Sequence, residues 1–368
     1  MRRPMKSLKV NLDKKTVSSY DIRIGAGITD RIVLLIAKTF KASHYVVVTD
    51  SNVKRLHAPA LIDAMTQAGL NVSLIDFPAG ESQKTLDTAV EVVGKLLALG
   101  ADRSTVLIAL GGGVVGDLTG FVASVYMRSI PYVQVPTTLV GQVDSAVGGK
   151  TAVDLAQGKN LVGAFYQPKA VYADVKYLET LPDAEFRNGL AEIIKYGIIE
   201  DTALFGKLEA RIDDVGGKDT AFLTGVVEAC LRIKKSIVEI DEHEQGLRRI
   251  LNYGHTLGHA LEAVSGYRLS HGEGVALGMI AAARLSEKMH YLPAQETRRI
   301  EALVERAGLP VRIPADFAAP EILARLKMDK KKKDGAVRFV LLKKIGMPFV
   351  NGGLPEEMIT DVIEGMKA

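Results

Sequence analysis

The chain has 368 residues, 47% of them hydrophobic and 24% charged, and a net charge of only +4 at pH 7. That length exceeds one small core and suggests two domains. So slight a charge excess, with no tryptophan to stack on bases, argues against nucleic-acid binding.

The basic N-terminus, MRRPMKSLKVNLDKK, has no apolar segment behind it to make a secretory signal. The single cysteine, Cys230, cannot form an intramolecular disulfide and suits a reducing compartment. Its helical neighbours make it a small buried hydrophobe rather than a nucleophile. The most apolar long stretch, 106–127, is broken by glycines and Asp117 and is no membrane span. The expected location is the cytoplasm.

VVVTD (46–50) reads as a buried strand, followed by the helical APALIDAMTQAG. VSLIDFP is a second strand, TLDTAVEVVGKLLALG an amphipathic helix, TVLIALGGG a third strand and YVQVPTT a fourth that stops at proline. This alternation predicts a Rossmann-like parallel α/β sheet with crossover helices. Beyond about residue 177 the runs are helix-length: EFRNGLAEIIKYGIIED, the stretch around Cys230, LGHALEAVS and ALGMIAAARLSEKMH. Strand-like runs then stay scarce until VRFVLL. The expected organisation is an α/β nucleotide-binding domain over 1–176 and a mostly helical metal- and substrate-binding domain over 177–368. KMDKKKKDG (327–335) is the one charge run, a solvated loop unless its lysines serve a site.

GGGVVGD follows a strand, and Gly111, Gly113 and Gly116 satisfy G-x-G-x-x-G. Missing side chains there let backbone N–H groups approach a pyrophosphate at a helix N-terminus. The acid expected about 20 residues on is absent, since the next strand ends in Pro136-Thr137-Thr138. Asp50, with Asn52 beside it, ends an earlier strand and could hold ribose hydroxyls instead. VGGKT is not a P-loop, because position 144, where the first glycine would fall, is aspartate.

Three of the seven histidines lie between positions 255 and 271. His255 and His259 are i and i+4 on one helical face. Thr256 stands where the zinc-peptidase pattern needs glutamate. One or both could be core histidines, but His271 in HGEGVALGM and Glu192 in NGLAEIIKYG argue for a metal site of imidazole and carboxylate ligands. Two histidines and a carboxylate suit zinc, cobalt or iron nearly equally. Lys150, Lys159, Lys195, Lys234, Arg248 and the lysines after Asp329 would suit a substrate with two anionic ends. Lys195 shares the helical face of Glu192.

VPTTLVGQVDSAVGGKTAVDLAQGKNLVGAFYQPKAV, LAEIIKYG, DEHEQGLRRILNYGHTLGHALE and HGEGVALGM, in this order and spacing, closely resemble the 3-dehydroquinate synthase family, over residues from about 20 to about 345. The resemblance implies an architecture shared with glycerol and iron alcohol dehydrogenases, and two cofactors, NAD and one divalent metal ion. It implies conversion of 3-deoxy-D-arabino-heptulosonate 7-phosphate to 3-dehydroquinate and phosphate: transient oxidation, phosphate elimination, re-reduction, ring opening and internal aldol closure, with no net redox change. This is a step of the shikimate pathway to aromatic amino acids.

Position by position, the resemblance makes Glu192, His255 and His271 the metal ligands and His259 a substrate contact. Asp144, Lys150, Asn160, Lys195, Lys234, Arg248 and Asn252 match the substrate pocket, with Lys159 beside them and Lys330, or Lys331, as its C-terminal lysine. Asp50, Asn52, Glu81, Lys84, Gly112, Gly113, Val114, Asp117, Thr137, Thr138, Tyr177 and Thr180 match nucleotide contacts, shared in part by Lys150 and Lys159. Arg128 matches an arginine that reaches the neighbouring subunit's site, implying a homodimer; the family often has glycine where this chain has Ser129.

Three other readings compete. A related sugar-phosphate cyclase would use the same cofactors on another sugar phosphate, but LAQGKN and GLRRILN look more like the shikimate enzyme. A metal-dependent alcohol dehydrogenase would have little use for Lys150, Lys159, Lys195 and Arg248 together. A non-catalytic binding protein on this fold would have no need of the complete set of acids, cations and ligands.

Overall fold

The computed structural model describes residues 19–215, 218–266, 268–330 and 337–368. The first half runs β1 (Asp21–Gly25), α1 (Thr29–Thr39), β2 (Tyr45–Asp50), α2 (Ser51–Leu56), α3 (Ala58–Gln67), β3 (Val72–Phe77), α4 (Leu86–Ala98), β4 (Val106–Gly111), α5 (Gly113–Val125), β5 (Tyr132–Pro136), β6 (Lys150–Leu155), β7 (Gly158–Phe165) and β8 (Ala170–Asp174). The second half runs α6 (Asp183–Ile199), α7 (Thr202–Val215), α8 (Thr220–Ile240), α9 (His255–Val264), α10 (His271–Lys288), α11 (Ala294–Arg306), α12 (Ala319–Lys330), β9 (Arg338–Lys344), β10 (Met347–Gly352) and α13 (Glu356–Gly365).

Six strands form one parallel sheet in the order β1-β8-β5-β4-β2-β3. Helices cover both faces, which is why the central strands are apolar without alternation: Val46, Val47 and Val48 are all fully buried. The chain leaves β2 for the edge strand β3, then returns to place β4 on the other side of β2. Ligands bind α/β sheets at such a reversal, beyond the carboxyl ends of the strands. Here those ends are Asp50 and Gly111.

The parallel α/β sheet and the helical second half agree with the fold expected from sequence. The antiparallel hairpin β6–β7 was not anticipated. GKTAVDL and GKNLVGAF mix glycine and polar residues too freely to show a strand period. The hairpin matters, because it carries Lys150, Lys159 and Asn160 on its strands. It packs on α5, where Gly120 leaves room for the Thr151 side chain. In the helical half α6 and α10 are buried along most of their length, and α9 crosses α10 at close range. Cys230 is fully buried in α8 with a free thiol. Among the described residues no helix is long and apolar enough to cross a membrane.

Candidate active site

His255 and His271 are each the first residue of a helix, α9 and α10. Gly254, in the left-handed region at φ +81°, turns the chain into α9. Ser270 and Glu273 close a reciprocal capping box at the start of α10. A Cβ at Gly258 would lie 2.8 Å from the Gly274 carbonyl oxygen, so glycine lets the two helices approach until their first turns meet. Glu192, fully buried on α6, faces both rings.

The Glu192 Oε1 lies 3.4 Å from the His255 Nε2 and 3.1 Å from the His271 Nε2. A tetrahedral ion with bonds of about 2.1 Å would space its ligands by about 3.4 Å, so these three donors fit a zinc-sized ion. The opposite ring nitrogens are already engaged: His255 Nδ1 lies 3.1 Å from the Tyr253 carbonyl and His271 Nδ1 3.2 Å from the Glu262 carboxylate. An Nδ1–H donated to those acceptors leaves each Nε2, on the Glu192 side of the ring, as the nitrogen that could ligate an ion. Burial opposes charge on His271, but hydrogen bonds to Glu192 and Glu262 and their charges outweigh it and raise its pKa to about 10. Burial likewise opposes charge on Glu192, yet Lys195 and His255 hold it well below the usual carboxylate range. The position therefore stabilises positive charge.

A second polar layer adjoins the first. Lys195 pairs with Glu192. Lys234 donates to the Asp144 carbonyl at 2.5 Å and to its carboxylate at 2.8 Å, and the Tyr196 hydroxyl donates to the same carboxylate. Burial would raise the Asp144 pKa, but Lys234 and Lys195 depress it. Lys150 pairs with Glu244, whose other oxygen accepts from Asn252 Nδ2 at 2.5 Å. Arg248 is 2% exposed and donates to the carbonyls of Glu242 (2.5 Å) and Gly148 (3.1 Å), and its buried Nε has no hydrogen-bond partner among the described residues. His259 opens on this cleft, its ring 5.2 Å from that of His255 and 6.0 Å from that of His271. Desolvation, and then charge on His255, lower its pKa, so the imidazole is neutral at pH 7.

The glycine turn lies at the sheet reversal. Gly112 precedes the first turn of α5, where no side chain caps the helix. A Cβ at Gly112 would lie 2.7 Å from Thr138 Cγ2 and one at Gly113 3.3 Å from Ser145 Oγ, so only glycine keeps this backbone accessible. Val114, in the first turn, packs on the sheet-face core. The Thr137 N–H donates to Gly111 at 2.9 Å, and Thr138 Oγ1 accepts from the Gly141 N–H at 3.1 Å.

Asp50 is the N-cap of α2, accepting from the N–H groups of Asn52 (2.8 Å) and Val53 (3.0 Å) through one oxygen, while Asn52 is exposed. Thr180 contacts His57 Nε2 at 2.8 Å, and His57 lies against the Tyr177 ring. Lys84 joins Asp117 and Asn160, each at 2.5 Å. Burial works against its charge, but Asp117 outweighs that and raises its pKa. Lys159 spans the two layers, 3.2 Å from Glu81 and 3.9 Å from Glu262.

Among the described residues no hydrogen bond or ion pair joins Arg128 to this cluster; it is exposed in the turn after α5. Lys330 ends α12, and Lys331 falls outside the described residues. Glu262, Glu244 and Tyr196 were not singled out from sequence. Glu262 stands seven residues after His255 and three after His259, a helical spacing that puts it on their face. Glu244 and Tyr196 carried no such signal.

A 3-dehydroquinate synthase N-terminal family model matches residues 74–188, and the corresponding C-terminal model matches 189–332. The chain belongs to the 3-dehydroquinate synthase family. A curated 3-dehydroquinate synthase from Acidithiobacillus ferrooxidans is 46% identical over 98% of both chains. Among solved structures, 2-epi-5-epi-valiolone synthase from Streptomyces hygroscopicus subsp. jinggangensis, with NAD+ and Zn2+ bound, is 27% identical at a TM-score of 0.90, covering 98% of this chain and 99% of that one. A 2-deoxy-scyllo-inosose synthase complexed with carbaglucose-6-phosphate, NAD+ and Co2+ is 28% identical at a TM-score of 0.86, covering 94% and 96%. The 3-dehydroquinate synthase relative is thus much nearer in sequence than the two cyclases of other products.

Proposed function

We propose that the chain is a phosphorus–oxygen lyase that converts 3-deoxy-D-arabino-heptulosonate 7-phosphate to 3-dehydroquinate and phosphate, with NAD and one divalent ion, zinc or cobalt, as cofactors. The observation that carries this reading is the juxtaposition of a buried imidazole–carboxylate donor set with a wall of lysines and a bare glycine turn. Bound NAD supplies a reversible hydride acceptor, and the divalent ion a Lewis acid that stabilises alkoxide charge.

Glu192, His255 and His271 hold the ion. Lys150, Lys195, Lys234, Arg248 and Asn252 receive the anionic ends of the substrate, together with Asn160, Lys159 and Lys330. Neutral His259 can accept a proton from a bound hydroxyl at pH 7, and ionised Asp144 fixes Lys234 and Tyr196. Asp50, Asn52, Glu81, Lys84, Gly112, Gly113, Val114, Asp117, Thr137, Thr138, Tyr177 and Thr180 hold the nucleotide. We place the domain division between 176 and 177, just past β8, the last strand of the parallel sheet in chain order. The protein works in the cytoplasm, a setting that free, buried Cys230 suits.

We also propose a homodimer in which Arg128 completes the neighbouring site. Tyr126 Oη donates to the Ala101 carbonyl at 2.7 Å, setting the Arg128 turn beside the end of α4. Val125, Met127 and Leu97 are exposed around that corner, an apolar surface fit for a second copy. Light scattering on the purified chain tests it, and a monomer at micromolar concentration would refute it.

The deciding experiment follows phosphate release and NADH absorbance with catalytic NAD and zinc or cobalt. Stoichiometric phosphate without accumulating NADH, abolished by EDTA, is expected. No phosphate from folded, loaded protein would point to another sugar-phosphate cyclase. NADH rising with substrate loss would make it a dehydrogenase.

A further inference from the structure

We propose that Glu262 is a positioning residue of the metal centre: its carboxylate accepts the Nδ1–H of His271 and so turns Nε2 toward Glu192. The inference rests on reading Glu192, His255 and His271 as the ligand set. Glu262 Oε1 lies 3.2 Å from His271 Nδ1, while Nε2 on the far side of the ring lies 3.1 Å from Glu192 Oε1. The imidazole is therefore gripped from both sides by carboxylates.

Glu262 is 3% exposed. A carboxylate so buried costs several kcal/mol unless it is paired. Its partners are the His271 ring and, from the other oxygen, Lys159 Nζ at 3.9 Å. The backbone is shaped around it. On α10 Gly274 stands where a Cβ would lie 2.9 Å from Glu262 Cγ, so the helix carries no side chain at the crossing.

The two histidines are not equivalent in this arrangement. His255 leans on a neutral carbonyl, that of Tyr253, and His271 on an anion. An anionic partner raises ligand basicity, fixes the tautomer and adds negative charge near a divalent ion. His259, Glu262 and His271 also lie close enough to hold an ion themselves. That rival arrangement would need Nδ1 of His271 as a ligand instead of a donor.

The test is zinc affinity of the full chain, measured by competition with a chromophoric chelator, for wild type, Glu262→Gln and Glu262→Ala. It is paired with visible spectra of the cobalt-loaded proteins and with thermal unfolding of the chelator-treated ones. Glu262→Ala should weaken zinc binding by about 10- to 100-fold. Glu262→Gln, which keeps the shape and an acceptor oxygen, should lose less, and the cobalt spectrum should shift in both. Should the alanine variant not fold, the isosteric glutamine variant carries the measurement. Unchanged zinc affinity and cobalt spectrum in either folded variant would overturn the inference, as would two zinc ions per wild-type chain with one lost in the variants. No zinc binding by the wild type would overturn the ligand-set reading itself, and this inference with it.

Discussion

Ser129 occupies φ +100° and follows two other non-glycine residues at positive φ, Met127 at +48° and Arg128 at +66°. A side chain in that region of backbone space costs about 1–3 kcal/mol, which glycine avoids. Ser129→Gly should therefore stabilise the protein by about 1 kcal/mol, since glycine's greater freedom in the unfolded chain offsets part of the relief. Chemical denaturation checks this as a higher midpoint at unchanged slope, and a lower midpoint would mean that the turn tolerates serine without strain. Sequence alone made Ser129 a modest departure, because φ is invisible until the turn is built.

The α9–α10 crossing is the element on which the proposed metal ligands depend. A Cβ at Gly278 would drive into the Gly254 carbonyl, at the entry to α9. Gly278→Ala should cost about 1–3 kcal/mol and weaken zinc binding, because it pushes His255 away from His271. Gly225→Ala in α8 is the contrast. Its Cβ would meet nothing within 4 Å, so it should gain up to about 1 kcal/mol from helix propensity alone. Equal effects of the two substitutions on zinc affinity would deny the crossing any role in placing the ligands. Much of this was legible beforehand. The strands β2 to β5 announced themselves as β-branched runs, and the three proposed ligands stood in recognisable motifs. What the residues could not decide was which member of the His255–His259 pair faces Glu192. That depends on where α6 lies, a tertiary fact. Glu244 and Tyr196 were hidden for a similar reason. An acid or a tyrosine has no periodicity of its own, and only its partner, here Lys150 or Asp144, makes it significant.

At the scale of the molecule, the cleft lies where two halves meet over a shared apolar core, to which Leu139 and Val171 contribute from one side and Leu190 and Ile233 from the other, and polar contacts line it. Asp144 and Lys150 come from the sheet-bearing half, and Lys234, Glu244 and Arg248 from the helical half. The glycine turn proposed for the nucleotide sits at the sheet reversal, whereas Lys150 projects from β6 onto Glu244 across the cleft. Its side chain is half exposed and its partner Glu244 largely buried, so the ammonium group stays available to a substrate while Glu244 holds it in place. Lys150→Ala should thus lower turnover by about 100-fold or more, the scale expected when a positioned charge is removed from a developing anion. NAD affinity, followed by calorimetry, should fall far less than turnover, because Lys150 is at most one of many nucleotide contacts and its ammonium pairs with Glu244. Loss of NAD binding in that variant would place Lys150 in the nucleotide site. Retention of both turnover and NAD binding would make the Lys150–Glu244 pair a structural clasp between the halves.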